Sequence, residues 1–105
     1  MKQIPSLLEY FLRDCLDNDK SYHIKQMFGG YGIYKDAKIF ALYAFEEIYF
    51  KTSDKNSQDF IKKWAKIFSY EKKWKIQTIR YYTLPQEIME DREALHIWIK
   101  KSLET

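Results

Sequence analysis

Residues 27 to 34 read Met-Phe-Gly-Gly-Tyr-Gly-Ile-Tyr and hold all three glycines of the chain. Gly29, Gly30 and Gly32 raise the question of phosphate binding, because glycine lets a backbone approach a pyrophosphate closely. That chemistry needs a helix to begin at the glycines, so that its N-terminus faces the anion. Here Ile33-Tyr34-Lys35-Asp36 leads into another strand-like run, and no Gly-Lys-Ser or Gly-Lys-Thr ending follows. The cluster therefore reads as a structural glycine motif: a bulge, a turn with φ > 0, or a point where another backbone packs closely. No cofactor is expected.

The other reactive side chains assemble into no recognisable catalytic pattern. Cys15 falls on the apolar stripe of a helix, where a thiol acts as a small hydrophobe; a reactive one needs an electropositive, partly exposed setting. His23 and His96 stand alone, with no cysteine or second histidine at ligand spacing, so no metal site is expected. No Gly-x-Ser-x-Gly occurs. The carboxylates Glu46-Glu47 and Glu90-Asp91-x-Glu93 fall at turns or helix starts, where acidic residues are ordinary. With no catalytic residue to name, the expectation is a non-enzymatic domain.

The basic residues suggest binding. Lys62, Lys63, Lys66, Lys72, Lys73, Lys75 and Arg80 are interleaved with Trp64, Phe68, Tyr70 and Trp74. Lysine among exposed aromatics is what a single-stranded nucleic-acid surface uses. A solvated helix and an edge strand, whose exposed edge lysine blunts, would carry the same residues. Trp74 is either an exposed anchor for a partner or a second copy, or packs on a neighbouring helix beside Trp64.

A length of 105 residues sets one domain, 1–105, able to bury roughly two-thirds of its unfolded surface. With 46% hydrophobic and 18% aromatic residues, folding rather than disorder follows. A net charge of +3 permits a polyanion partner without requiring one. The single cysteine excludes an internal disulfide and suits a reducing compartment. The chain opens Met-Lys-Gln-Ile-Pro with no continuous apolar h-region, and no stretch reaches a membrane span, so a soluble cytoplasmic protein is expected.

The elements that must position these residues follow from periodicity. Ile4, Leu7, Leu8, Phe11, Leu12, Cys15 and Leu16 make one helical stripe, with Asn18 and Asp19 as terminators. Strand-like runs follow at His23–Phe28, Tyr31–Tyr34, Ile39–Ala44 and Ile48–Thr52, separated by turns at Lys35–Ala37 and Phe45–Glu47, as in an antiparallel meander. Ser53–Ala65 reads as a helix capped by Ser53 or Asp54, with Phe60, Ile61, Trp64 and Ala65 as its apolar face. Phe68–Tyr70 and Lys75–Tyr82 return to strand. Thr83-Leu84-Pro85-Gln86 offers a helix start, and Asp91 caps a longer helix whose stripe is Leu95, Trp98, Ile99 and Leu103. Lys100 and Lys101 suit that helix's C-terminal end. The order defines an α+β class.

Taken together, Met27-Phe-Gly-Gly-Tyr-Gly-Ile-Tyr34, Phe40-Ala-Leu42, Ile48-Tyr-Phe-Lys51, Phe68-Ser-Tyr-Glu-Lys72, Tyr81-Tyr-x-Leu-Pro85 and Glu90-Asp91 resemble the N-terminal domain of the TfoX/Sxy proteins. The resemblance covers nearly the whole chain. It implies an α–β5–α arrangement, an antiparallel sheet packed against N- and C-terminal helices. It further implies accessory transcriptional regulation of natural DNA-uptake competence through protein contacts, beside a regulator of the cyclic-AMP receptor protein type, with no catalytic residues or cofactors. Full-length competence regulators carry a second, helical domain after this one, whereas the chain stops at Thr105. Direct nucleic-acid binding through the lysine and aromatic surface of residues 62–80 is the alternative function, and a homodimer the alternative assembly.

Overall fold

In the computed structural model, residues 4–27 and 29–105 are described. Phe28, the expected end of the first strand, and residues 1–3 of the N-terminus lie outside them.

The chain opens with a short helix, α1 (Ser6–Tyr10), continued by a π-helical turn over Phe11–Cys15. The expected stripe holds: Leu8, Phe11, Cys15 and Leu16 are buried. The winding does not stay α. The Leu16 N–H donates to the Phe11 carbonyl five residues back, at 2.9 Å, and Asn18 N–H reaches Leu12. The helical winding ends at Cys15 with Leu16 as its cap, and the left-handed pair Asp17 and Asn18, both at φ 56, follows, so termination falls slightly ahead of the expected Asn18–Asp19 stop.

Six strands follow: β1 (Tyr22–Met27), β2 (Gly30–Lys35), β3 (Lys38–Ala44), β4 (Glu47–Lys51), β5 (Ile67–Lys72) and β6 (Lys75–Thr83). They form one antiparallel sheet in the order β1-β2-β3-β4-β6-β5. The α+β class stands, with six strands where the family resemblance implied five. The first four are a meander, and β6 inserts between β4 and β5.

Three short or medium helices complete the fold: α2 (Ser57–Ile61), α3 (Gln86–Met89) and α4 (Arg92–Leu103). All the helices place side chains in one core cluster on one face of the sheet. Phe50 is its hub, with ring contacts to Phe11 at 6.3 Å, Phe40 at 5.5 Å and Phe60 at 6.2 Å. Phe60 in turn packs edge-on against Trp98 of α4 at 4.5 Å. Phe40 reaches the hub because the β2–β3 register slips by one residue. Ile33 faces Ala41 while Tyr34 faces Ile39, so Phe40 bulges inward.

Two expected helix starts are corrected. The inserted helix runs over Ser57–Ile61 only, not Ser53–Ala65. Buried Asn56 accepts the Ser53 N–H on Oδ1 at 2.8 Å and donates to the Lys51 carbonyl, which holds residues 53–56 in a turn. Beyond Ile61, Trp64 adopts a left-handed φ of 62, and the chain reverses through an Ala65 N–H bond to the Phe60 carbonyl. Trp64 and Ile61 are therefore exposed, and only Phe60 and Ala65 of the expected apolar face pack on the core. Thr83 does not cap α3: it ends β6, and its hydroxyl accepts the Lys66 N–H at 2.9 Å. Asp91 does cap α4, accepting the Ala94 N–H at 3.1 Å.

Candidate interaction surface

The three glycines meet three different backbone demands. Gly29 carries φ +80 in the β1–β2 turn. A Cβ on Gly30 would lie 2.2 Å from the Tyr43 carbonyl oxygen of β3, and one on Gly32 would crowd Met27, Ile39 and Tyr34. The motif shapes the sheet.

The sheet face away from the helices is covered by none of them. Strand alternation places Tyr34, Leu42, Tyr49, Phe68, Tyr70 and Tyr81 there, and none of these belongs to the core cluster. A row of rings runs across it. Phe45 meets Phe68 at 5.7 Å, Tyr49 meets Phe68 at 4.9 Å, and Phe68 meets Tyr70 at 6.1 Å. Burial, then the neighbouring Glu47 carboxylate, pushes the Tyr49 phenol above its ordinary value; burial, then Tyr34, does the same for Tyr81.

The β5–β6 hairpin extends this face. β6 pairs with β4 through Tyr81, Tyr82 and Thr83, with further bonds from the Thr52 N–H and hydroxyl to the Arg80 carbonyl and from the Leu84 N–H to the Ile48 carbonyl. Lys75 to Ile79 pair with β5 alone, so the hairpin projects as a two-stranded arm. Its two-residue loop, Lys73-Trp74, has φ 50 and 68, the geometry of a type I′ turn. On one face of the arm Tyr70, Lys72, Lys73, Lys75 and Gln77 enclose a shallow depression. On the other lie Ile76, opposite Glu71, and Thr78, opposite Ser69. Trp74 at the tip is 95% exposed and Ile76 77% exposed. Trp74 is thus exposed and does not pack beside Trp64.

The basic residues singled out from sequence do not form one surface. Lys72 and Lys73 gather at the tip with Lys75. Lys62, Lys63 and Lys66 lie near α2, about 20 Å away along a six-residue strand. Lys63 is ion-paired with Glu87 at 3.3 Å. Arg80 points to the helix side, where it pairs with Asp54 at 2.9 Å. Phe45 and Tyr49 are the members of the aromatic row that sequence reasoning missed; Phe68 and Tyr70 share one strand face with Lys72 at i, i+2 and i+4, and it is register that brings Phe45 and Tyr49 to Phe68.

Elsewhere, Cys15 is buried, which pushes its thiol pKa up. His96 is exposed, its Nδ1 2.9 Å from the Arg92 carbonyl. Among the described residues no three His, Cys, Asp or Glu side chains group as a metal would require. Nor is any helix there long and apolar enough to cross a membrane.

A helix, a six-stranded antiparallel sheet with an inserted helix, and a closing helical pair define an α+β domain whose distinguishing local feature is the glycine run that opens β2, with Gly29 in the preceding turn and Gly30 and Gly32 in the strand. The chain belongs to the TfoX N-terminal domain family, whose model matches residues 14–105. A comparison with curated proteins finds no match.

Proposed function

We propose that this chain is a non-enzymatic, cytoplasmic regulatory domain that acts by contact with a protein partner, as an accessory transcriptional regulator of the kind linked to DNA-uptake competence. Family membership supports the regulatory reading, and a DNA-bound regulator of the cyclic-AMP receptor protein type is the partner it suggests. The observation that carries the contact mode is the tip of the β5–β6 arm. Trp74 and Ile76 are both exposed, and Trp74 occupies a left-handed conformation that glycine would adopt with less strain. A large apolar side chain kept at such a position fits an anchor that fills a partner's pocket.

The test is co-purification. The chain should retain a purified cyclic-AMP receptor protein or RNA polymerase, and the double variant Trp74→Ser/Ile76→Ser should lose it. Equal retention by both forms would remove the arm from the contact. Size-exclusion chromatography at two concentrations separates this reading from self-association, which would shift elution with concentration.

A further inference from the structure

We infer that the face of the β5–β6 arm opposite Ile76, together with the open sheet face it continues, binds single-stranded nucleic acid. The inference rests on the reading of this arm as a contact element and assigns a ligand class to its second face.

The argument begins with charge. On the open face, strand alternation sets Lys25, Lys51, Lys72 and Lys75 against one carboxylate, Glu47. Lys73 joins them at the loop. None of these lysines takes part in an ion pair among the described residues, whereas Arg13, Lys63, Arg80, Arg92 and Lys101 are all paired. Glu46 and Glu47 sit at the far end of the aromatic row, beside Phe45, and Glu71 points to the other side of the arm. The cationic end is therefore the tip.

The arrangement at that tip works against the folded arm in isolation. Lys72 lies directly opposite Lys75, and like charges at such a pair repel. A polyanion laid between them turns that repulsion into attraction. Tyr70 supplies what phosphates alone would not use: a ring 39% exposed, flanked by the lysines and backed by Phe68 at 6.1 Å. An exposed ring beside a group of cations can accept an unpaired base by stacking while the lysines hold its phosphates. Duplex DNA, whose bases are already stacked, offers no such face.

The experiment is fluorescence anisotropy with labelled oligothymidylate and oligouridylate of about ten nucleotides, a length one small domain can cover. Binding is expected at about 50 mM salt, with affinity falling about twentyfold by about 200 mM, the response of three lysine–phosphate contacts on a single strand. Tyr70→Ala should weaken binding about tenfold or more, and Tyr70→Phe should restore it. Lys75→Glu should weaken binding yet raise the melting temperature, because it replaces a repulsive cross-strand pair with an attractive one. Absence of binding at low salt overturns the inference. So does equal affinity for duplex DNA or for phosphatidylserine-containing vesicles, or indifference to Tyr70→Ala. Ile76→Ser, on the opposite face, should leave oligonucleotide affinity intact while reducing partner retention, so failure of one reading is distinct from failure of the other.

Discussion

Replacing Lys73-Trp74 with Asn-Gly should make this protein more stable while removing the most exposed large hydrophobic side chain among the described residues. Both residues sit at positive φ in a two-residue hairpin loop, where Asn-Gly is the preferred pair. The left-handed region costs an ordinary L-residue about 1–2 kcal/mol, and glycine nothing. Glycine's extra freedom in the unfolded chain returns about 0.5–1 kcal/mol of that gain. At 95% exposure, Trp74 has almost no buried surface to forfeit. The net is a stabilisation of about 1 kcal/mol, or a melting temperature higher by about 5 °C for a domain of this size. The β3–β4 loop is an internal control. Phe45 and Glu46 have the same kind of backbone, φ 51 and 61, but the Phe45 ring contacts Phe68 at 5.7 Å. Asn-Gly there sacrifices an aromatic contact of about 0.5–1.5 kcal/mol, so the change should be close to neutral. Thermal unfolding followed by circular dichroism reads both. A lower melting temperature for the 73–74 variant would refute the reasoning, since it would mean that Trp74 contributes to the folded state more than the strain it carries.

Gly30→Ala should destabilise by about 3 kcal/mol, because the new Cβ would lie 2.2 Å from a main-chain oxygen that cannot rotate away; chemical denaturation would show the lowered midpoint. Asp91→Ala removes the α4 cap and should lose about 1 kcal/mol, with Asp91→Asn near neutral in the same measurement. Stability should also fall at alkaline pH. Burial raises the phenol pKa of Tyr22, Tyr43, Tyr49 and Tyr81 in the fold, so the folded state keeps protons that the unfolded state releases. Their contribution is complete below the unfolded value of about 10 and is lost as pH rises through the raised folded values. Tyr49→Phe should flatten that decline in a pH series of denaturant midpoints.

The strands were legible because one face of the sheet is dry and the other only half so, which writes alternation into Tyr31–Tyr34, Ile39–Ala44 and Ile48–Thr52. The first helix was legible as a stripe, but its π-turn was not, since the apolar spacing through Cys15 and Leu16 matches an ordinary α-helical period. The inserted helix was overread for a specific reason. Its N-terminal half is replaced by a turn around Asn56, a residue that competes with helix through its own amide, and its C-terminal stop falls on Trp64 where a glycine would have announced it. Thr83 looked like a cap because nothing local reveals that Lys66 claims its hydroxyl. The candidate surface was half legible. Its lysines stood out by composition, but which of them share a face depends on register, and the β5–β6 slip between Ile67 and Phe68 sets that.

The narrow anchorage of β6 has a kinetic consequence. Three register pairs, two bonds from Thr52 and one from Leu84 tie the base of the arm to β4, while the rest of its ladder is shared only with β5. A two-stranded ribbon is marginally stable by itself. The amides of Ser69 to Thr78 should therefore exchange with solvent through openings much smaller than global unfolding, ahead of those of β2, β3 and β4. A ligand held across both strands of the arm would close those openings, so its arrival would be recorded as slowed exchange far from the core.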